Sequence, residues 1–320
     1  MEWALVAARR TCLTLCVCIA QWLLSDVVMA QNIALVVSEN SAAYLEIADA
    51  VKRNVSEQGA SKLKIFSMPA DDLAIGESEI YKTDFYSLIV TIGARAADMV
   101  AKLQVKPSVL STMIPRSLYE RVPPRQGGAQ TSAIYLDQPI ERQLEFIRLL
   151  LPNKHRLGVA YGSNSASARE DLERVAKLKG YNIVGENLQS MGNLGPTFDR
   201  ILARADFLVV LPDAEIYNRL TIPKILLSSY HANRPVISYS AAHAKSGALA
   251  AMFTPPQSLA QQIAELLVKH QGGKFALPAA QYPAYWRVSI NRQVARSLKL
   301  NIGSDQEIEK NLNQITESSR

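Results

Sequence analysis

Cysteine is scarce in this chain and is confined to one end of it. The 320 residues include three cysteines, and Cys12, Cys16 and Cys18 all lie within the first twenty positions. Beyond them, the sequence offers no thiol for a disulfide bond, a thiolate nucleophile or a cysteine-ligated metal. A chain of this length can bury enough apolar surface to fold without disulfides, so we expect it to rely on its hydrophobic core.

The sequence also lacks the common patterns of catalytic and metal-binding residues. Its histidines, His155, His231, His243 and His270, are spread along the chain, and none has a metal-ligand neighbour at helical spacing. There is no Gly-Xaa-Ser-Xaa-Gly elbow, no phosphate loop and no dinucleotide fingerprint. These absences favour a binding protein over an enzyme, and we expect no catalytic residues, no metal and no cofactor.

Charge is present in ordinary amount and is not clustered. Charged residues make up 20% of the chain and hydrophobic residues 48%, as in a globular protein, and the net charge is +6. The basic residues are scattered, which argues against a nucleic-acid partner. The positive balance favours an anionic or zwitterionic ligand, although a solvated basic surface explains it equally well.

The first thirty residues have the pattern of an export signal. Arg9 and Arg10 precede an apolar run over 11–24, and small residues follow where a signal peptidase would cleave. This pattern predicts a secretory signal peptide over 1–30 and a periplasmic location. A retained membrane anchor is the alternative, but Asp26 lies close to the apolar run and shortens any span.

Short apolar runs alternate with amphipathic segments along the rest of the chain. The runs predict strands over 33–37, 62–66, 86–92, 108–113, 131–136, 157–161, 182–184, 207–211, 236–238, 248–253 and 288–290. The helical face of Ile140, Leu144, Ile147 and Leu151 is the clearest of those between them. Strands that alternate with helices indicate α/β units with largely parallel sheets, whose apolar strands are covered by helices on both faces.

Two such units of similar plan follow one another, separated by the proline- and glycine-rich stretch 123–128. Near the end of the chain, Ser258 and Asn291 are predicted to cap helices. The segment 303–320 is polar and has a weak apolar spacing, so we expect a loose helix or a polar C-terminal tail.

Several segments resemble a known family when they are taken in order. They are YLDQPIERQLEFIRLLLPNKHRLGVAYGSNSAS from Tyr135, ADFLVVLPDAE, RPVISYS, KSGALAAMF and VSINRQVARSLKLNI. This order resembles the ABC-transporter solute-binding proteins related to the tryptophan- and tyrosine-binding ones, over roughly 32–302. The resemblance implies an α/β fold with two Rossmann-like lobes joined by a multi-stranded hinge, the type I periplasmic binding-protein fold.

The same resemblance implies a division of the chain. It implies crossings between the lobes near 136–140, 239–242 and 272–285. The first lobe would then hold 31–136 and about 243–275, and the second lobe 137–242 and about 285–302.

The ligand cleft of such a fold is walled by loops at the carboxyl ends of strands. The candidate ligand-binding residues are Ser38, Asn40, Ser41, Gly93, Ala94 and Arg95 in the first lobe, and Ser163, Asn164, Ser165, Asp213 and Tyr239 in the second. Their hydroxyl, amide and helix-terminal N–H groups suit a carboxylate, and Asp213 or Glu39 would receive an ammonium group.

Each candidate also has a simpler explanation. Ser41 and Ser165 are ordinary helix caps, and Asp213 suits a turn in which it caps its own backbone. Arg95, in the first turn of a helix, is equally explained as a solvated side chain. Tyr239 is positioned to stack on an aromatic ligand, but packing at a hinge explains it as well.

The chain departs from the family pattern mainly in its first half. The turn Gly93-Ala94-Arg95 lacks the usual hydroxyl, and Gln130 and Ala133 stand where an asparagine and a glycine are common. The resemblance still implies capture of a small ligand, possibly an amino acid, by a monomer that delivers it to an ABC permease. The alternatives are an exported sensor of the same fold and an exported α/β enzyme with Asp213 or Glu39 as base.

Overall fold

A computed structural model of the chain describes residues 31–74, 85–103, 105–122, 129–270 and 275–318. The predicted signal peptide and its cysteines, the stretch 123–128 and the start of the third predicted crossing lie outside these ranges. The segment expected to be irregular begins with a short 3-10 helix, Ala70–Ala74, and most of the remainder also lies outside the described residues.

The first sheet has five parallel strands. They are β1 (Gln31–Val37), β2 (Leu63–Pro69), β3 (Tyr86–Ile92), β4 (Ser108–Ile114) and β5 (Thr131–Tyr135). Their order across the sheet is β2-β1-β3-β4-β5. The chain changes winding direction between β1 and β3, which places a crevice at the carboxyl ends of these two strands.

The second sheet has six strands. They are β6 (Arg156–Tyr161), β7 (Asn182–Asn187), β8 (Phe207–Val209), β9 (Val236–Ser238), β10 (Ala250–Phe253) and β11 (Arg287–Ile290). Their order is β11-β10-β9-β8-β6-β7, and the β10–β11 pair is antiparallel. The winding changes between β6 and β8, so a second crevice opens at the carboxyl ends of those strands.

Helices connect the strands and cover both sheets. They are α1 (Ala42–Glu57), α2 (Ala94–Lys102), α3 (Arg116–Tyr119), α4 (Ile140–Leu150), α5 (Arg169–Leu178), α6 (Leu194–Arg204), α7 (Ile222–His231), α8 (Ala241–Lys245), α9 (Pro256–Lys269), α10 (Arg292–Ser297) and α11 (Asp305–Ser318). Within the ranges given above, no helix is long and apolar enough to cross a membrane.

Both faces of each sheet are buried, as the apolar strands predicted. In β1, Ile33 and Leu35 pack in one cluster with α1 and α9, whereas Ala34 and Val36 pack in another with α2. In the second sheet, α4, α5 and α11 cover one face, and α6 and α7 cover the other. The prediction of two α/β lobes is confirmed.

The structure places one crossing between the lobes elsewhere than expected. We predicted a crossing near 239–242, but β9, α8 and β10 all belong to the second lobe, because β10 pairs with both β9 and β11. The chain then leaves the second lobe after Phe253, and α9 packs against α1 in the first. The segment 243–253 therefore belongs to the second lobe, and this part of the predicted division is wrong.

The two predicted caps have different outcomes. Asn291 caps α10, since its side chain accepts hydrogen bonds from the backbone N–H groups of Gln293 and Val294, both at 3.1 Å. The prediction for Ser258 is wrong, because α9 already begins at Pro256, with Pro255 at its N-cap position. Proline suits the first turn, where its missing N–H is not needed.

The segment expected to be a loose helix or polar tail is an ordered helix, α11. Ile308 is 5% exposed and Leu312 is fully buried, and both pack in the core of the second lobe. Glu309 also accepts a hydrogen bond at 2.8 Å from the backbone N–H of Val288, which lies in β11. Two apolar residues one turn apart are enough to attach a helix whose other faces are polar.

Candidate functional site

The crevices of the two sheets face each other, and the loops that wall them carry most of the candidate residues. In the first lobe, Ser38 is buried after β1, and its Oγ accepts a hydrogen bond from the backbone N–H of Ala96 at 3.0 Å. The N–H belongs to the first turn of α2, so the side chain satisfies one of the helix's unpaired donors. Ser38 thus joins the loop after β1 to the helix after β3.

Gly93 lies directly against this serine. Its φ of +102° is a conformation that side-chain-bearing residues rarely adopt, and a Cβ here would lie 2.2 Å from the Ser38 Oγ and 2.7 Å from the Tyr44 ring. The glycine is therefore required by the close approach of three elements. Burial and the charge of Glu39 raise the pKa of Tyr44, against a hydrogen bond from Ser38.

The remaining first-lobe candidates are less engaged with the crevice. Ser41 occupies the N-cap position of α1, but its side chain makes no capping hydrogen bond. Asn40 is exposed, and Ala94 is the first residue of α2. Arg95 is also exposed and forms an ion pair with Asp71. This ion pair engages the guanidinium group that would otherwise be available to a ligand carboxylate.

In the second lobe, Asp213 is the centre of a hydrogen-bonded cluster. It is fully buried after β8, and one carboxylate oxygen accepts from the Ser165 hydroxyl at 2.8 Å. The other accepts from the backbone N–H of Glu215 at 3.1 Å, within the turn that the simpler explanation predicted. Ser165 in turn accepts from the backbone N–H of Gly162 at 2.9 Å, so side chains join the loops after β6 and β8.

The two other residues of the loop after β6, Ser163 and Asn164, are less buried than Ser165. The Ser163 hydroxyl is exposed and donates to Glu215 at 2.5 Å. The carbonyl oxygens of Ser163 and Asn164 accept hydrogen bonds from first-lobe side chains, Arg121 at 2.6 Å and Ser117 at 2.8 Å. The loop therefore contacts the opposite lobe through its backbone.

Tyr239 brings an aromatic ring to the same crevice. It is partly buried after β9, and its ring lies 5.5 Å from that of His243. Burial, followed by the charges of Asp213 and Tyr44, raises the pKa of Tyr239 to about 12. Tyr239 therefore lies close enough to Asp213 and to Tyr44 of the first lobe for both to affect its pKa. Tyr217 is also buried and close to Asp213, whose charge contributes to its raised pKa.

Sequence reasoning missed three residues that the structure brings to the cleft. Tyr44 was not among the candidates, although it lies in the first turn of α1, the helix that follows β1. Ser117 and Arg121 belong to or follow α3, a four-residue helix that no periodicity could identify. Among the described residues, no group of three His, Cys, Asp or Glu side chains is arranged to hold a metal ion.

Comparison with known proteins places the chain in one family. The model of a family described as ABC transporter substrate binding protein matches residues 29–305. A tyrosine-binding protein of Clostridioides difficile (strain R20291) is 22% identical over 197 residues, which is 60% of this chain and 56% of that protein. The match therefore spans little more than half the length of this curated relative.

Solved structures of similar fold cover most of the chain. An ABC domain in complex with L-Trp from Streptococcus pneumonia has a TM-score of 0.66 at 19% identity, over 88% of this chain and 97% of that one. The ligand-free, open structure of a substrate binding protein with adhesive properties from Clostridium difficile has a TM-score of 0.70 at 16% identity, over 86% and 97%. At these identities, the likeness shows the fold alone, and it confirms the type I periplasmic binding-protein fold.

Proposed function

Since the chain belongs to the ABC transporter substrate-binding protein family, in which the role is solute binding and not catalysis, we propose that it captures an amino acid between its two lobes. The lobes close on the ligand by motion at the hinge, as in other two-lobed binding proteins. An aromatic amino acid suits the cleft best.

Asp213 carries the proposal. It is a fully buried carboxylate that forms no ion pair with any of the described residues, and two hydrogen bonds leave part of its acceptor capacity unused. A buried charge without a partner is unfavourable, so the site gains stability when a cation enters it. The ammonium group of an amino acid is such a cation and is small enough for this position.

The rest of the cleft supports the other parts of an amino acid. Tyr239 lies near Asp213 and is influenced by Tyr44 of the first lobe, and an aromatic side chain stacks favourably against such rings. The N-termini of α1 and α2 adjoin Ser38 and Gly93, and helix N-termini favour a carboxylate. The tyrosine-binding relative and the L-Trp complex agree with this ligand class.

We further propose that the protein is exported and works as a monomer in the periplasm. The sequence pattern over 1–30 supports export. The partner is an ABC permease in the inner membrane, which recognises the closed form. The family supports this partner, since its members are the substrate-binding components of ABC transporters.

Thermal unfolding of the full chain tests the ligand class. We expect L-Trp, L-Tyr or L-Phe to raise the melting temperature by several degrees, because a ligand at 100 times its Kd adds about 2.7 kcal/mol to stability. The deaminated acid of the same side chain, such as indole-3-propionate for L-Trp, should give no shift because it lacks the ammonium group. No shift with any amino acid would contradict the proposal.

Variants of the facing rings show where the ligand binds. Tyr239→Ala and Tyr44→Ala should each reduce the shift, because each removes one aromatic wall. Tyr230→Ala is the matched control, since Tyr230 is 50% exposed on the outer side of α7. Equal loss of the shift in all three variants would show that the rings act on overall stability and not on binding.

A further inference from the structure

Hydrogen bonds also join the two lobes directly, through a short helix of the first lobe. The short helix α3 follows β4 in the first lobe, where Leu118 and Tyr119 pack against a cluster that includes Tyr135. Its first residue donates a backbone hydrogen bond to Asp137 at the start of the hinge, from Arg116 N to Oδ1 at 2.8 Å. The helix is thus fixed to the first lobe and to the hinge.

Side chains of α3 and of the residues just after it form hydrogen bonds with the loop after β6 in the second lobe. The Ser117 hydroxyl donates to the carbonyl oxygen of Asn164 at 2.8 Å, and the Ser117 carbonyl accepts from the Ser167 hydroxyl at 3.3 Å. Two residues beyond the helix, Arg121 donates to the carbonyl oxygen of Ser163 at 2.6 Å. Ser117 is 9% exposed and its two bonds are partly buried, whereas the bond from Arg121 is exposed.

An ion pair extends the same contact. Arg116 Nη1 lies 3.5 Å from a carboxylate oxygen of Asp171 at the start of α5. Between this contact and the hinge is a cavity lined by residues of both lobes that include Ser117, Gln138 and Ser167. The contact therefore borders the space between the lobes.

We propose that α3 together with Arg121 is an interlobe latch, whose residues set the ligand affinity by stabilising the closed arrangement through their hydrogen bonds to the opposite lobe. This inference rests on the proposed function, in which closure traps the ligand. An affinity is reduced by the fraction of molecules that are not in the competent state, so every contact that exists only in the closed arrangement strengthens binding. Ser117 and Arg121 are positioning residues in this sense.

The latch has a kinetic consequence that a general loss of stability does not have. Contacts that form only on closure lower the dissociation rate of the ligand. They leave the association rate unchanged, because the ligand first meets the open lobes. One hydrogen bond contributes about 1 kcal/mol, which corresponds to roughly a fivefold change in an equilibrium. We therefore expect Ser117→Ala to weaken binding about fivefold, almost entirely through faster dissociation.

Fluorescence energy transfer between the lobes measures the latch directly. The full chain contains only Cys12, Cys16 and Cys18, so replacing these with serine gives a background for labelling. Arg53→Cys on α1 and Leu178→Cys on α5 then place one dye on each lobe at exposed positions. Ser117→Ala, Ser167→Ala and Arg121→Gln should each shift the distribution of transfer efficiencies towards separated lobes, whereas Arg121→Lys should retain part of the closed population.

Matched controls separate the latch from general effects. Ser297→Ala removes an exposed serine hydroxyl that bonds within α10, and Arg219→Gln removes an exposed charge that forms no ion pair within the described part of the chain. Neither should change the transfer efficiency. Unchanged distributions in all three latch variants would overturn the proposal, and so would equal shifts in the controls.

The distance measurement also separates this proposal from the proposed function. It needs no ligand, so a shift in the latch variants supports the latch even if no amino acid binds. With L-Trp or another ligand that binds, stopped-flow dissociation supplies the second readout. A ligand that binds with the same dissociation rate in wild type and Ser117→Ala would overturn the latch while leaving the proposed function intact.

Discussion

In the second lobe a buried carboxylate joins the loops of the cleft wall, whereas in the first lobe a serine hydroxyl and a closely packed glycine join them. Asp213 and Ser165 join two loops of the second lobe through hydrogen bonds to side chains and backbone. In the first lobe, Ser38 bonds to the first turn of α2, and Gly93 lies against Ser38 and Tyr44 with no room for a Cβ. One wall thus contains a buried charge, and the other contains neutral groups in close contact.

The difference predicts how each wall tolerates change. A polar wall built from side chains can be altered by a near-isosteric substitution that keeps the shape and removes the charge. A wall built from backbone contact is sensitive to a single methyl group, because neither the backbone nor a closely packed ring can move far. Substitution of Gly93 should therefore cost mainly stability, and a near-isosteric substitution of Asp213 should cost mainly binding.

The largest expected effect is in the first lobe. Gly93→Ala should lower the free energy of unfolding by about 4 kcal/mol, because it adds the cost of a positive φ to a clash with Ser38 and Tyr44. Urea unfolding followed by circular dichroism measures this change. Gly59→Ala is the control, since Gly59 also has a positive φ, +70°, but no atom within 4 Å of a Cβ. Equal losses in the two variants would show that the backbone conformation matters and the close contact does not.

A smaller effect is expected in the second lobe. Asp213→Ala should lower the free energy of unfolding by about 2 kcal/mol, because the Ser165 hydroxyl and the Glu215 N–H lose a buried acceptor. Asp213→Asn should stay within about 1 kcal/mol of wild type, since it keeps the shape and removes an unpaired buried charge. Calorimetry with a ligand then completes the comparison: both variants should lose binding. Retained binding by Asp213→Asn would contradict the ammonium assignment.

The smallest expected effect lies at the hinge between the walls. Burial raises the pKa of Asp137 from 3.8 to about 6, against the hydrogen bond from the Arg116 N–H. The folded state therefore binds this proton more tightly, and the resulting stability is present below pH 3.8 and lost as the pH rises through about 6.

Asp137→Asn should remove this pH dependence. The stability of the variant relative to wild type should rise by roughly 1 kcal/mol between pH 4 and pH 6.5, because only the wild type loses stability as this carboxyl ionises. Denaturant titrations at a series of pH values measure the difference. A difference that stays constant with pH would show that this carboxyl does not titrate in the range.

Much of the fold could be predicted from local patterns. The apolar run of β1 and the helical face of α4 each identify their element without help from the rest of the chain, because periodicity reports which side is buried. Asn291 was identified as a cap from its position before a helix, and it is one. Asp213 and Ser165 were predicted to lie in two strand-end loops of the second lobe, and the structure joins these loops by a hydrogen bond between the two side chains.

The missed features depend on partners that are distant in the chain. Nothing near Ala250–Phe253 indicates that it pairs with β11, so the crossing before α9 was placed too early. The helix α3 is shorter than two turns and has no usable period. Leu312 looked like part of a weak spacing until the core of the second lobe supplied its contacts.

The sequence by itself determined the alternation of strands and helices, and with it the two α/β lobes and the strand-end loops that wall the cleft. These follow from which residues avoid water, a property that each segment carries locally. The tertiary structure alone decided that Tyr239 lies near Asp213, that Gly93 has no room for a side chain, and that Ser117 reaches the opposite lobe. Such contacts arise from the relative placement of elements far apart in the chain, and no local pattern contains that information.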